Sequence, residues 1–227
     1  MSFDKLLDLV NSYGSLLLNG LLTSFYLTVS SYLIGFTLGV LISIARTYGP
    51  RLVKALCQAF VELTRGTPML VQLFLIYYVL PRVGLTLDPL PAAIIAIGLN
   101  SAAYQSEYLR ASMSSISYSQ WEAALSIGLT KLQAVREVIL PQSIRIAIPT
   151  LANELIYLFK YSSIAYFITV SELIYISKFI GSRTFLYVEV YSIIAVIYIA
   201  FSIAATEVFK FIERKIAIPG LRISTRL

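Results

Sequence analysis

The stretch SQWEAALSIGLTKLQAVREVILPQS, residues 119–143, lies between two apolar segments of membrane-spanning length. Ser119 and Glu122 have the spacing of a capping box, in which the serine oxygen accepts the N3 amide and the glutamate reaches back to the cap amide. Gly128 can take the left-handed conformation in which many helices end. The spacing therefore predicts a short helix over 119–128, in a part of the chain that is too polar to cross a membrane.

A second short helix is expected directly after the first. Thr130 and Gln133 repeat the capping-box spacing, and Pro141, which lacks a backbone donor, is expected to end the helix that they begin. Residues 117–141 are therefore predicted to form a compact hairpin. Two interpretations fit it: an amphipathic helix that lies on the bilayer with Trp121 as its anchor, or a docking element for a soluble partner.

The composition places the rest of the chain in a bilayer. Of 227 residues, 58% are hydrophobic and 13% are charged, and the mean hydropathy is +0.79, whereas about a quarter of the residues of a soluble domain are charged. One cysteine and no histidine leave no disulfide framework, no Cys/His metal site and no histidine for acid–base catalysis. The net charge of +6 comes from basic residues scattered between apolar runs, so we expect them to meet anionic lipid headgroups and not nucleic acid.

Five segments contain enough apolar residues to cross a hydrocarbon core about 30 Å thick. They are residues 16–45, 55–80, 90–112, 147–170 and 186–211. Lysine and arginine are concentrated in the cytoplasmic connections when the amino terminus is placed outside. The sequence therefore predicts an all-α integral membrane protein with one domain over residues 1–227. The hairpin, between the third and fourth spans, and a tail over about 214–227 would then be cytoplasmic.

The hairpin also carries a family resemblance. Seven of its residues match, in order and spacing, the EAA signature in the cytoplasmic loop of ATP-binding-cassette importer permeases, with valine where isoleucine is usual. They are Glu122, Ala123, Ala124, Gly128, Val138, Leu140 and Pro141. Further stretches resemble the polar amino acid branch of this family, so the resemblance covers nearly the whole chain. They are ELTRGTPMLVQLFLIYYVLP (62–81), GLNSAAYQSEYLRASMSSI (98–116) and LANELIYLFKYSSI (151–164).

The resemblance implies a function. It identifies the chain as the transmembrane subunit of an ATP-driven importer of polar amino acids, with basic amino acids as a narrower hypothesis, in the inner or plasma membrane of a prokaryote. The segment 119–128 would be the coupling helix of an alternating-access mechanism. A channel subunit and a membrane scaffold that transports nothing are the alternative functions.

The resemblance also implies partners. Two cytoplasmic ATP-binding subunits, a second permease copy or a close relative, and an external substrate-binding protein would complete the importer. The chain contains no G-x-x-x-x-G-K-[ST] phosphate loop, so ATP and Mg²⁺ are expected on the separate ATPase subunits. This chain itself is expected to be no enzyme and to bind no cofactor or metal.

Polar residues inside the predicted spans indicate the candidate substrate site, since such groups at membrane depth tend to face protein or a wet cavity. Glu154 lies in the fourth span and has no basic residue three or four positions away. It is either a hydrogen-bonded packing residue or a carboxylate that receives a cationic group of the substrate. Asn100 offers a donor and an acceptor, which suits a zwitterion, although joining two helices is the alternative role.

A break is expected in the second span. Thr67 before Pro68 has the pattern of an N-cap followed by proline at the first helical position. Half-helix amino termini favour anionic groups such as a substrate carboxylate, and a simple proline kink is the alternative. The family resemblance adds Gln72 to the cavity. The resulting pocket hypothesis comprises Gln72, Asn100 and Glu154, with Met69 and Leu70 as apolar walls or gate.

The other polar groups in the spans are given structural roles. Glu62 with Arg65, and Glu107 with Arg110, are spaced as i,i+3 pairs that neutralise one another on a helix. The sixteen tyrosines are interpreted as interface belts and helix packing. Lys160 has no visible partner in the sequence, and its role stays open.

Overall fold

The computed structural model describes residues 3–216, with side chains over 5–215, and no strand occurs in that range. Its helices are α1 Phe3–Tyr48, α2 Arg51–Gly66, α3 Met69–Phe74, α4 Pro89–Ser114, α5 Tyr118–Ser126, α6 Lys131–Ala134, α7 Leu140–Tyr161, α8 Leu173–Thr184 and α9 Tyr187–Ile216. Irregular turns extend three of them, π turns over Leu75–Val79 and Val135–Ile139 and 3-10 turns over Leu80–Val83 and Ser162–Ile168. The all-α prediction is confirmed for the described residues. The predicted tail over about 214–227 begins inside α9, which ends at Ile216, and the rest of it lies outside the described residues.

Two helical segments are long and apolar enough to cross a membrane alone, Lys5–Tyr48 in α1 and Tyr187–Lys215 in α9. Two further candidates are helix pairs with a sharp bend. They are Arg51–Gly66 with Met69–Val83, bent by 110°, and Lys131–Ile168 with Leu173–Thr184, bent by 56°. By length and composition, the described part of the chain therefore holds two to four candidate spans. The third predicted span lies within α4, which is 26 residues long.

The pairing of α1 with α4 is the most extensive helix contact in the described chain. A Cβ added to Gly35 on α1 would lie 2.8 Å from the Ser101 hydroxyl on α4, so only glycine allows the two helices to approach this closely. In the same interface the Ser31 hydroxyl donates to the Ile94 carbonyl at 3.2 Å. This close contact holds the polar residues of α4 in position.

The predicted Glu107–Arg110 pair is confirmed and belongs to a larger cluster. Arg110 donates from Nη2 to Glu107 Oε2 at 2.8 Å. Arg46 on α1 donates to the other oxygen of this carboxylate, and the Arg46 side chain is only 11% exposed. Because Arg46 lies on α1 and Glu107 on α4, their ion pair joins the end of α1 to α4.

One apolar core joins α1 to α3 and α4, with Leu27 and Leu73 among its buried members. A second apolar core joins the first half of α1 to α8 and α9, with Leu173 and Ile194 among its buried members.

Glu172 lies at the start of α8 and is fully buried. Its carboxylate accepts the amides of Ile174 at 2.9 Å and Tyr175 at 2.8 Å. Glu172 therefore caps the amino terminus of α8, a role that the sequence reasoning had not identified.

The hairpin after α4 is folded, but the predicted first cap is wrong. Helix α5 begins at Tyr118, and Ser117 is its N-cap, whose hydroxyl accepts the Ser119 amide at 3.3 Å. Ser119 and Glu122 both lie inside α5, so they cannot cap it. The helix ends as predicted, because Gly128 has a φ of +87° in the left-handed region.

The second predicted cap is confirmed. The Thr130 amide donates to Gln133 Oε1 at 2.8 Å, and the Gln133 amide donates to the Thr130 hydroxyl at 3.4 Å. These two bonds complete a capping box at the start of α6.

Pro141 does not end the helix that follows, which corrects the prediction. Helix α6 continues through the π turn Val135–Ile139 directly into α7, with Pro141 in the first turn of α7. The Leu140 amide donates to the Val135 carbonyl, five residues back, and this wider turn accommodates the proline and its missing donor. Continuous helical backbone therefore joins the hairpin to α7.

Candidate functional site

The break between α2 and α3 is confirmed, but its capping differs from the prediction. The Thr67 hydroxyl donates to the Leu63 carbonyl at 2.8 Å, so it caps the end of α2. Pro68 occupies the N-cap position of α3, and its carbonyl accepts the Val71 amide at 3.0 Å. Thr67 therefore caps the end of α2 and is not the N-cap of α3.

The Gln72 side chain, on α3, forms hydrogen bonds with the end of α2 across this break. Its Nε2 donates to the Thr64 carbonyl at 2.6 Å and to the Thr67 hydroxyl at 2.9 Å. Its Oε1 accepts a hydrogen bond of 3.0 Å from Asn100 Nδ2. The structure thus brings Gln72 and Asn100 together. The Gln72 side chain links both sides of the break to α4.

Glu154 lies on α7 at its contact with α4, and it is only 4% exposed. Its carboxylate accepts hydrogen bonds from the Ser101 hydroxyl at 2.7 Å and from the Tyr108 hydroxyl at 3.3 Å. Among the described residues, no basic side chain forms a salt bridge with it. Glu154 is therefore a buried carboxylate solvated by two hydroxyl groups of α4.

A cavity of about 300 Å³ opens at the break. We call it the break cavity; it is lined by Arg65, Gly66, Thr67, Pro68, Met69, Asn100, Tyr104, Tyr157 and Tyr161. Of the predicted pocket, Met69 and Asn100 line this cavity. Gln72 does not line this cavity but binds the lining residue Asn100 through a hydrogen bond. Leu70 packs against the apolar core that contains Leu73. Glu154 is not among the lining residues, although Ser101, which it binds, follows Asn100 in α4.

A second cavity, of about 610 Å³, lies beside the Glu107 cluster. We call it the vestibule; it is lined by Arg65, Glu107, Tyr108, Ala111, Ser112, Ser115, Ile146 and Thr150. Its α4 residues lie at the end of that helix that leads into the hairpin. Arg65 thus lines both cavities.

The predicted Glu62–Arg65 pair is wrong. Glu62 Oε1 instead accepts a hydrogen bond of 2.7 Å from Gln58 Nε2. The Arg65 guanidinium lies over the Tyr104 ring, 5.3 Å from its centroid. Arg65 was assigned to the wrong partner because the i,i+3 spacing says nothing about a ring on another helix.

Three tyrosines of the break cavity were also missed as site residues. Tyr157 and Tyr161 are four positions apart on α7, so they share a helix face, and their ring centroids lie 4.2 Å apart. Tyr104 faces them from α4 as another lining residue. The signal was present in the sequence as the spacing of Glu154, Tyr157 and Tyr161, which places all three on neighbouring parts of one helix surface.

The hairpin presents an exposed surface. Of the EAA-signature residues, which the resemblance implies couple the chain to an ATPase, four are exposed, namely Glu122, Ala123, Gly128 and Pro141, while Leu140 is half-buried and Ala124 is buried. Large apolar side chains on the hairpin are exposed as well, namely Tyr118, Leu125, Ile127 and Leu132.

Two contacts hold this hairpin against the helical body. The centroids of the Trp121 ring and of the Tyr48 ring, at the end of α1, lie 5.2 Å apart. Trp121 therefore packs against α1. Gln142 Nε2 in α7 donates to Gln120 Oε1 in α5 at 3.3 Å. Helix α5 is thereby attached to both α1 and α7.

Residues 32–218 match the family model described as "Binding-protein-dependent transport system inner membrane component". The chain is 43% identical over 183 residues, 81% of each chain, to the probable amino-acid ABC transporter permease protein YckA of Bacillus subtilis. It is 38% identical over 216 residues, 92% of each chain, to the L-cystine transport system permease protein TcyB of the same species. The structure also resembles a crystal structure of an amino acid ABC transporter with histidines, with a TM-score of 0.85 and 35% identity over 95% of this chain and 100% of that one.

Proposed function

The chain belongs to the family of binding-protein-dependent transport system inner membrane components, and we propose that it is the transmembrane subunit that carries a polar amino acid through an ATP-driven importer. The observation that carries this proposal is the break cavity, which combines the cation Arg65 with the amide of Asn100 and three tyrosines. A zwitterion needs such a mixture of polar groups in a concave site. A channel or scaffold would leave this cavity and the folded hairpin without a role.

The amino acid would contact Met69 and Asn100 in the break cavity. Gln72 holds the Asn100 amide through their 3.0 Å hydrogen bond and so orients it toward the substrate. Glu154, buried where α7 contacts α4, supplies negative charge that would favour the substrate ammonium group. Leu70 would support the wall of the break cavity by its packing against the apolar core that contains Leu73. A basic amino acid is the narrower hypothesis for the substrate, since a second cationic group would also be attracted by Glu154.

Coupling to ATP hydrolysis would run through α5. Its exposed apolar side chains would dock in a groove of a cytoplasmic ATPase subunit, and ATP and Mg²⁺ would bind to that subunit. The continuous helix from Lys131 to Tyr161 leads from the hairpin to Glu154, so a displacement of the hairpin would move the site. Two ATPase subunits, a second permease copy or close relative, and an external binding protein would complete an alternating-access importer.

The proposal includes a topology of five spans in one permease domain, with the amino terminus outside. The second span would be the bent pair α2–α3, so the break cavity would lie within the membrane. The hairpin and the end of α4 would then be cytoplasmic, and the vestibule would open toward the cytoplasm.

The decisive experiment is uptake by vesicles that contain this chain with its ATPase subunits and binding protein. Radiolabelled neutral, basic and acidic amino acids would be supplied outside, with ATP inside. Uptake of one class that requires both ATP and the binding protein is expected, and it identifies the substrate. An assembled, ATP-hydrolysing complex that accumulates none of these amino acids would contradict the proposal.

A further inference from the structure

Arg65 lies at the junction of the two cavities. It lines the break cavity together with Met69 and Asn100, and it lines the vestibule together with Glu107 and Thr150. No other described residue lines both. A molecule that moves from the break cavity into the vestibule would therefore pass the Arg65 side chain.

The carboxylates carried by α2, α4 and α7 are engaged with groups other than Arg65. Glu62 accepts from Gln58, and Glu107 is held by two arginines. Glu154 accepts from two hydroxyls of α4. Among the described residues, Arg65 forms no salt bridge. The guanidinium at the junction thus retains its capacity to bind an anion.

The contact with Tyr104 leaves that capacity intact. The guanidinium lies over the tyrosine ring, with its carbon 5.3 Å from the ring centroid. A cation–π contact is an electrostatic attraction to the ring that needs no N–H donor, whereas the N–H donors in the guanidinium plane match a carboxylate bidentately. Tyr104 therefore orients the group without occupying its donors.

We propose that Arg65 binds the carboxylate of the transported amino acid and passes it from the break cavity to the vestibule. The inference rests on the proposed function and adds the residue that recognises the acidic end of the substrate. It also explains why no carboxylate of the described residues forms a salt bridge with Arg65, since an internal partner would compete with the substrate.

The test compares an amino acid with its α-carboxamide, which keeps the ammonium group and side chain but loses the negative charge. Binding of L-glutamine, L-arginine and their α-carboxamides would be measured on the permease–ATPase complex in lipid nanodiscs without the binding protein, whose own selectivity is thereby excluded. The wild type is expected to prefer the acid. Arg65→Gln should weaken binding of the acid about tenfold or more and abolish the preference, and Arg65→Lys should be intermediate.

Arg183→Gln is the matched control. Arg183 also lies over an aromatic ring, 4.4 Å from the Phe179 centroid, but it lines neither cavity. Its loss should leave the preference unchanged, and size-exclusion chromatography with the ATPase subunits would check that each variant assembles.

A preference for the acid that survives in Arg65→Gln would overturn the inference, as would a wild type that binds acid and carboxamide equally. Absence of binding to a wild-type complex that imports the same amino acids would overturn it too. In these cases the uptake assay still reports import, so the proposed function stands. A complex that imports no amino acid removes the proposed function and this inference together.

Discussion

The Ser101 hydroxyl donates a hydrogen bond of 2.7 Å to Glu154 Oε1, which joins α4 to α7 one residue from the Asn100 that lines the break cavity. Ser101 also faces Gly35, where an added Cβ would come within 2.8 Å. One small side chain thus connects three helices: α1, α4 and α7. A displacement of α1 or α7 is therefore expected to shift Ser101 and the neighbouring Asn100, which lines the break cavity.

Glu154→Gln tests the role of the buried carboxylate. The amide has nearly the same shape but no charge, so we expect substrate-stimulated ATP turnover in reconstituted vesicles to fall about tenfold or more, because the ammonium group of the substrate loses its counter-charge. Glu189→Gln, on α9, is the control and should leave turnover unchanged. Wild-type stimulation in a correctly assembled Glu154→Gln complex would remove Glu154 from the substrate site.

Gly35→Ala tests the close approach of α1 and α4. The new methyl group would lie 2.8 Å from both Ser101 and Gln105, so it should cost about 1–3 kcal/mol of stability. The midpoint of thermal aggregation of the purified complex should fall. Gly14→Ala on the same helix, where nothing lies within 4 Å of the added carbon, should not lower it. Equal midpoints for the two variants would show that the interface can relax around the methyl group.

Glu107→Gln tests the charge cluster between α1 and α4. Without the carboxylate, Arg46, whose side chain is 11% exposed, keeps a charge with no counter-charge in this cluster. Removing one partner of a buried pair costs about 3–5 kcal/mol, whereas an exposed pair contributes about 0–1 kcal/mol. Glu207→Gln, which removes the exposed partner of Lys210, is therefore the control. Thermal stability of the two variants in one detergent should differ clearly, and similar losses would contradict a structural role for the cluster.

Gly128→Ala tests the geometry of the hairpin. At a φ of +87° a side chain costs about 1–2 kcal/mol, and the strain should alter the path from α5 into α6. We expect less ATPase subunit to co-purify with the permease and weaker stimulation of ATP turnover. Gly84→Ala introduces the same backbone strain at a φ of +88° in the connection before α4. If both variants lose ATPase equally, the effect is general instability and not coupling.

Cysteine labelling tests the proposed topology. In a Cys57→Ser background, Ile127→Cys places a thiol on the hairpin and Phe185→Cys places one between α8 and α9. The replaced side chains are 77% and 82% exposed. A membrane-impermeant maleimide should label the second variant in intact cells and the first only in inside-out vesicles. Labelling of both from one side would refute the assigned topology.

Local signals in the sequence predicted part of the local structure. The Thr130–Gln133 capping box and the helix end at Gly128 depend on residues within one helical turn of each other, and both are present. The Ser119–Glu122 box had equally good spacing and was wrong, because Ser117, two positions earlier, caps α5 instead. Pro141 was expected to stop a helix, yet a π turn lets the helix continue.

The candidate site was predicted in part. Met69 and Asn100 line the break cavity, and Gln72 binds Asn100. Arg65 was assigned to Glu62 because spacing along one helix was the sole available guide. Its position over Tyr104 depends on how α2 packs against α4, which residues 62–65 do not encode by themselves.

The sequence by itself determined that the chain is helical, apolar enough for a bilayer and marked by a capped hairpin, because periodicity, composition and capping act over a few neighbouring residues. Only the tertiary structure decided that Arg65 stands between two cavities, that Gln72 bridges the break to α4, and that Glu154 is solvated by Ser101. Each of these contacts joins residues brought together by helix packing. Packing depends on shape and close approach across the whole molecule, as at Gly35, and not on spacing along one helix.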